Sequence, residues 1–198
     1  MPRCLAHSDA FGCHAIVCAT GSLRIAKHNH LRDAIFDAAQ QANLGPLKEP
    51  DGLLPGSDDR PGDIVLPYWD NGRDICLDVT VVSPQQVALV QQAAREGGGD
   101  VAVNHAFKAK MRKYKDRCAA EGLSFLPLAV DSYGGWHARS LEALTKLGRQ
   151  VARVVGKRED EAVMQLRQRA AVLHVRDSVE MIRSRCPTVV PAEIDGDE

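Results

Sequence analysis

The hydrophobic positions of this chain change period several times, and the changes mark its elements. Arg60-Pro61-Gly62-Asp63-Ile64-Val65-Leu66-Pro67 and Ile75-Cys76-Leu77-Asp78-Val79-Thr80-Val81-Val82 both read as β-strands. The second is rich in β-branched residues and bounded by Arg73-Asp74 and Ser83-Pro84. Asn71-Gly72 between them is a hairpin-turn signal. Leu31 to Asn43 follows the helical period, with Leu31, Ile35, Ala38, Ala39 and Ala42 on one side, Asn29 as cap and Gly45-Pro46 as stop. Lys48 to Arg60 is loop-like in its Pro, Gly and acids. Gln85 to Arg95 predicts a short helix, Gly97-Gly98-Gly99 a break, and Val101-Ala102-Val103 a short strand. His105 to Gly122 predicts a longer helix with the apolar stripe Phe107, Met111, Tyr114 and Cys118. Phe125 to Val130 predicts a strand whose Pro127 suits a sheet edge or a bulge.

After a turn at Ser132-Tyr133-Gly134-Gly135-Trp136, two more helices are predicted. The first buries Leu141, Leu144, Leu147 or Gly148, Val151 and Val154 and stops near Gly156. The second runs from Glu159 to Cys186, with Val163, Leu166, Ala170, Leu173 and Ile182 inward and Arg167, Arg169, Arg176, Arg183 and Arg185 in solvent. From Pro187 the chain is acidic and reads as a disordered tail. Strands interleaved with helices in this order predict an α/β fold.

One position disturbs the pattern. Side chains alternate along a strand, so Ile75, Leu77, Val79 and Val81 share one face, and Cys76, Asp78, Thr80 and Val82 the other. Asp78 is then a carboxylate in the middle of an apolar strand, and burying it unpaired is costly. Asp63 opens the preceding strand, within reach across the hairpin. Two converging carboxylates suit Mg²⁺. A structural ion pair of Asp78 with Arg60 or Arg73 explains the same residue, and spacing alone weighs the two readings equally.

Composition adds less than its distribution. The 198 residues are 44% hydrophobic and 26% charged, which is ordinary for a globular chain, and the formal net charge of −1 gives no overall attraction to nucleic acid. No run approaches the ~18 apolar residues of a membrane span, and no secretory signal is evident, so a nuclear or cytoplasmic location is expected. From Glu49 to Asp78 eight acids face two arginines; from Lys108 to Arg117 six basic residues face Asp116. An acidic pole beside a basic helix suits a metal site facing a polyanion, and equally a helix with a solvated face. Residues 1–32 are dense in Cys4, His7, Cys13, His14, Cys18, His28 and His30, which are Zn²⁺ ligand types. The best tetrahedral set is Cys4, His14 and Cys18 with His28, Cys13 or His7 as the fourth, His28 first among them.

The order of these features resembles a known family. A Cys/His segment leads into His28-Asn29-His30-Leu31-Arg32-Asp33. Arg60-Pro61-Gly62-Asp63 is followed fifteen residues on by Asp78 in Leu-Asp-Val-Thr-Val, and then by Lys110-Met111-Arg112-Lys113-Tyr114. This resembles the C-terminal region of site-specific non-LTR retrotransposon proteins, in which a CCHC-type zinc knuckle precedes a restriction-like endonuclease of the PD-(D/E)XK superfamily. The similarity runs over roughly the first two thirds of the chain. The resemblance implies a restriction-endonuclease-like mixed β-sheet flanked by helices. Its parts would be a knuckle-like segment at 1–30, an endonuclease core at 31–134, a C-terminal helical hairpin at 135–187 and a tail at 188–198.

The resemblance also implies roles. Asp63 and Asp78 are the Mg²⁺ (or Mn²⁺) acids, and Glu49 or Asp37 is a candidate further ligand. The signature lysine two residues after the second acid is here Thr80, so its role falls to the following helix, to Lys110 first and Lys113 second. Lys108, Arg112, Lys113 and Lys115 are the expected phosphate contacts on DNA. Family members nick target DNA and expose a 3′ hydroxyl for reverse transcription. With no Tyr-x-Asp-Asp motif in the chain, a detached endonuclease region is expected, meeting element RNA only through a polymerase region absent here. The alternative is a catalytically inactive nucleic-acid-binding remnant, which Thr80 in the signature position favours.

Overall fold

The computed structural model describes residues 13–18, 22–70 and 72–185. Its elements are α1 (Cys13–Val17), α2 (Leu23–Gln41), β1 (Leu47–Lys48), β2 (Ile64–Asp70), β3 (Arg73–Val82), α3 (Val87–Glu96), α4 (Val101–Ala120), β4 (Ser124–Asp131), α5 (Ala138–Val155) and α6 (Glu159–Arg183). The four strands form one mixed sheet in the order β1-β2-β3-β4. β2 and β3 are the antiparallel hairpin, and β3 and β4 run parallel through the α4 crossover. Pro127 lies on the edge strand β4, where its missing N–H costs no ladder bond.

Both faces of the sheet are covered. Ile75, Leu77 and Val79 of β3 join Leu31 and Ile35 of α2, Leu144 and Leu147 of α5 and Leu166 of α6 in the main core. Cys76 faces the other way, into a smaller cluster with Tyr114 and Cys118 of α4 and Phe125 of β4. The alternation along β3 thus sorts its side chains between two helical layers, and Asp78 falls on the α4 side.

Several elements depart from the periodic reading, each for a local reason. The first long helix starts at Leu23 rather than Leu31, so Asn29 lies within it instead of capping it, and the boundary expected at residue 30 falls inside α2. Lys27 occupies the buried position one turn before Leu31, and a lysine there conceals the continuing apolar face. Val101-Ala102-Val103 is the first turn of α4 rather than a strand; Val101 and Ala102 pack on Leu89 of α3. β2 continues past Pro67 to Asp70, with an irregularity between Leu66 and Asp70 where Tyr68 takes φ 53°. Val154 is exposed, and on α6 the buried positions after Ala170 are His174, Asp177 and Met181 rather than Leu173.

Lys27 and Asp177 belong to an antiparallel clasp between α2 and α6. Lys27 Nζ donates to Ser178 Oγ at 2.7 Å, His30 Nδ1 lies 2.8 Å from Asp177 Oδ2, and Arg169 Nη2 donates to Asp37 Oδ2 at 2.6 Å. Arg169 and Arg176 are therefore paired rather than simply solvated. The expected tail at 188–198 lies outside the described residues.

Gly148 on α5 lets α6 come close: a Cβ there would stand 2.7 Å from Val163 Cα. Gly148→Ala must push the two helices apart, and a loss of about 1–3 kcal/mol of stability is expected from overpacking. A urea midpoint unchanged from wild type would show that the helix pair has slack the contact denies.

Candidate active site

The site begins with a glycine. A Cβ on Gly62 would stand 2.6 Å from both Cys76 Sγ and the Leu77 carbonyl oxygen, so only glycine lets this segment lie so close to β3. The Asp63 N–H then donates to the Leu77 carbonyl at 2.8 Å, and the Asp63 carbonyl accepts from the Glu49 N–H at 2.7 Å. Held from both sides, Asp63 turns its carboxylate toward β3, where Oδ2 accepts from the Val79 N–H at 2.6 Å. His28 Nε2 lies 3.2 Å from the same oxygen.

Asp78 stands beside it on β3, with its side chain only 8% exposed. Oδ1 accepts from Lys110 Nζ at 2.9 Å and Oδ2 from Thr80 Oγ1 at 2.6 Å. Burial pushes the Asp78 carboxyl above its ordinary range, a shift that Lys110 and Thr80 oppose and the nearby charge of Asp63 reinforces. The hydrogen bond to Asp63 outweighs the cost of burial for His28, whose imidazole titrates above its ordinary range.

The cation on Asp78 is neither of the arginines that spacing suggested. Arg60 pairs with Asp51 at 2.7 Å. Lys110 reaches Asp78 because Tyr114, one turn further along α4, is buried against Phe125 with ring centroids 5.5 Å apart, which fixes the helix phase. Lys113 projects elsewhere: it lies over the Tyr114 ring at 4.6 Å and 3.6 Å from Asp59. Lys108, Arg112 and Lys115 are exposed along the outside of α4.

The other expected ligands are not gathered here. Glu49 pairs with Arg32 and Asp37 with Arg169. Cys4 lies outside the described residues. Cys18 is buried and accepts from Arg185 Nη2 at 2.9 Å, while His28 is turned to Asp63. Among the described residues no group of three His, Cys, Asp or Glu side chains is arranged to hold a metal ion, so His14, Cys18 and His28 are not assembled as a zinc set. His28 is the site residue that sequence reasoning misassigned. The signal was available: Arg24, Lys27, His28, Leu31 and Ile35 recur at helical spacing.

The His28 pKa shift carries a sign. A histidine whose folded pKa is raised contributes stability that is fully present below the unfolded value near ~6.5 and is lost as pH rises through the folded value. In metal-free protein, NMR titration should show His28 titrating above ~6.5, and Asp63→Asn should bring it down. An unchanged His28 titration in that variant would contradict the geometry.

No protein-family model matches the chain, and no curated protein sequence matches it; the geometry of the site is what speaks to function.

Proposed function

We propose that the protein is a metal-dependent DNA endonuclease with a restriction-endonuclease-like core. The observation that carries this reading is the pairing of Asp63 and Asp78 at adjoining strands, with Lys110 delivered to Asp78 from the crossover helix. The donor set fits a hard divalent cation: two carboxylates feel each other's charge, and Asp63 Oδ1 takes no hydrogen bond among the described residues. Asp63 and Asp78 would hold Mg²⁺ or Mn²⁺, which supplies charge to the scissile phosphate and acidifies a water. Thr80 holds Asp78 in one rotamer, the Val79 N–H holds Asp63, and Lys110 offers a mobile positive charge to the phosphate as it leaves Asp78. Lys108, Arg112 and Lys115 would hold the duplex by its backbone.

A second reading is favoured by one specific observation: each carboxylate already has a nitrogen partner, the His28 imidazole on Asp63 and the Lys110 ammonium on Asp78. A remnant that binds DNA without cutting it would keep these pairs as structure.

Nicking of supercoiled plasmid with Mg²⁺ or Mn²⁺, against an EDTA control, separates the two. Asp78→Asn should abolish nicking while sparing DNA binding. Lys110→Ala should slow it roughly 10²–10³-fold and Lys113→Ala much less. No metal-dependent nicking by wild type, together with unfolding of Asp78→Asn, would leave the ion-pair reading.

Binding to duplex has its own test. Three exposed phosphate contacts at Lys108, Arg112 and Lys115 predict a log–log salt slope of about −3, and replacing two of them should flatten it by about two units. An affinity indifferent to salt would make this face of α4 merely solvated.

A further inference from the structure

A cavity of about 540 Å³ adjoins the acid pair, and Thr80 belongs to both: its hydroxyl bonds Asp78 while its side chain lines the cavity wall. The cavity opens where β3 and β4 end, beside Ser83 and Ser132, which follow the last residues of the two parallel strands. Ligands of open α/β sheets bind at the carboxyl ends of parallel strands, because the chain diverges there into loops and leaves a crevice. The volume falls within the ~300–1,000 Å³ of sites that enclose a small molecule. It accommodates one nucleotide unit and not a double helix.

The charge of the wall names the ligand class. Arg24 and Lys27 of α2 line the cavity with His14 of α1, and His28 stands one turn after Arg24 on α2. Lys27 is 2% exposed, yet its ammonium donates only to the Ser178 hydroxyl among the described residues. Asp177 and Asp131 attract it without hydrogen-bonding it. Asp131 Oδ1 accepts from the Tyr133 and Gly135 N–H groups, and Asp177 is bonded by His30 and Arg176. A buried ammonium with no carboxylate in hydrogen-bond contact is costly: burial lowers the Lys27 pKa to about 8, and an anion in the cavity would favour its charged form.

We infer that this cavity receives one unstacked nucleotide of the strand being cut, next to the scissile phosphate, with that nucleotide's own phosphate on Lys27 and Arg24. The inference rests on the nuclease reading and adds its substrate class: a strand that is single or locally opened at the cleavage point. Arg24 and His28, one turn apart on α2, lead from the cavity toward Asp63, while the base lies against the aliphatic wall that Ala106 helps to form. Enzymes that work on nucleotides drawn from the stack use pockets of this kind.

The test uses the full chain in EDTA, so that no cleavage occurs, and fluorescein-labelled hexathymidylate followed by anisotropy. Wild type should bind it, and Lys27→Met, which keeps the side chain's length without its charge, should weaken binding about ten- to a hundredfold. Ser83→Trp, at the half-buried rim, should do the same by filling the cavity with the charges untouched. In Mg²⁺, wild type should cut a duplex carrying a short unpaired gap faster than the intact duplex, and both variants should erase the difference. The inference is overturned if wild type does not bind the oligonucleotide. It is also overturned if binding ignores both variants but falls when Lys108, Arg112 and Lys115 are replaced. Plasmid nicking that survives Lys27→Met and Ser83→Trp but not Asp78→Asn would leave the nuclease standing and the cavity without a role. Cavity-dependent binding with no nicking by wild type would keep the nucleotide site and remove the nuclease.

Discussion

The structure turns on a carboxylate buried in the middle of its sheet. Asp78 occupies a β3 position whose neighbours on the same strand serve two apolar clusters, and it is 6% exposed. Leaving such a charge unpaired costs several kcal/mol, on the order of 3–5 when one partner of a buried pair is removed. The compensation comes from α4, and it is delivered by packing. Tyr114 and Cys118 seat α4 on the Cys76 side of the sheet, and the same seating brings Lys110 to Asp78. Lys110 and Tyr114 are one turn apart, so the seating of the aromatic anchor sets where the lysine leaves the helix. Thr80, two residues along β3, shares the face of Asp78 and reaches its second oxygen.

Gly62 supplies the second half of this arrangement. The chain before β2 must pass within van der Waals contact of Cys76 and the Leu77 carbonyl for Asp63 to meet the Val79 N–H. Arg60-Pro61-Gly62-Asp63 is therefore a backbone requirement as much as a chemical one: Pro61 is fully buried and Gly62 permits the contact. Only Asp63 carries chemistry.

What was legible in the sequence followed from local rules. The hairpin announced itself through the β-branched run of β3 and the glycine of its turn, and Pro127 marked an edge strand. The alternation that put Asp78 and Thr80 on one face needed no tertiary information, and neither did the phase of α4 that set Lys110 against the buried stripe. The failures on α2 and α6 share a cause: polar side chains in buried helical positions. Lys27 hid the first turns of α2, and His174 and Asp177 hid the inner face of α6, because a periodicity count takes charge as a sign of solvent. Lys27 and Asp177 find their partners across the α2–α6 contact, in Ser178 and His30, and no pattern within either helix reports that. His28 was misread for the same reason. Its chemistry suggested a metal ligand among nearby cysteines, whereas its direction depends on a helix whose beginning was concealed.

The nitrogen partners of the two acids are compatible with the nuclease proposal, and their exposure says why. In each pair the acid is the more buried partner: the Asp63 side chain is 17% exposed against 30% for His28, and Asp78 8% against 34% for Lys110. Each acid is also held independently of its cation, Asp63 by a backbone N–H and Asp78 by Thr80. Removing His28 and Lys110 to solvent would leave both carboxylates where they are, close enough for their charges to repel. Under the nuclease proposal that repulsion would favour uptake of a divalent cation, the displaced Lys110 ammonium would stay at the rim of the site, and His28, away from Asp63, would return toward its ordinary range.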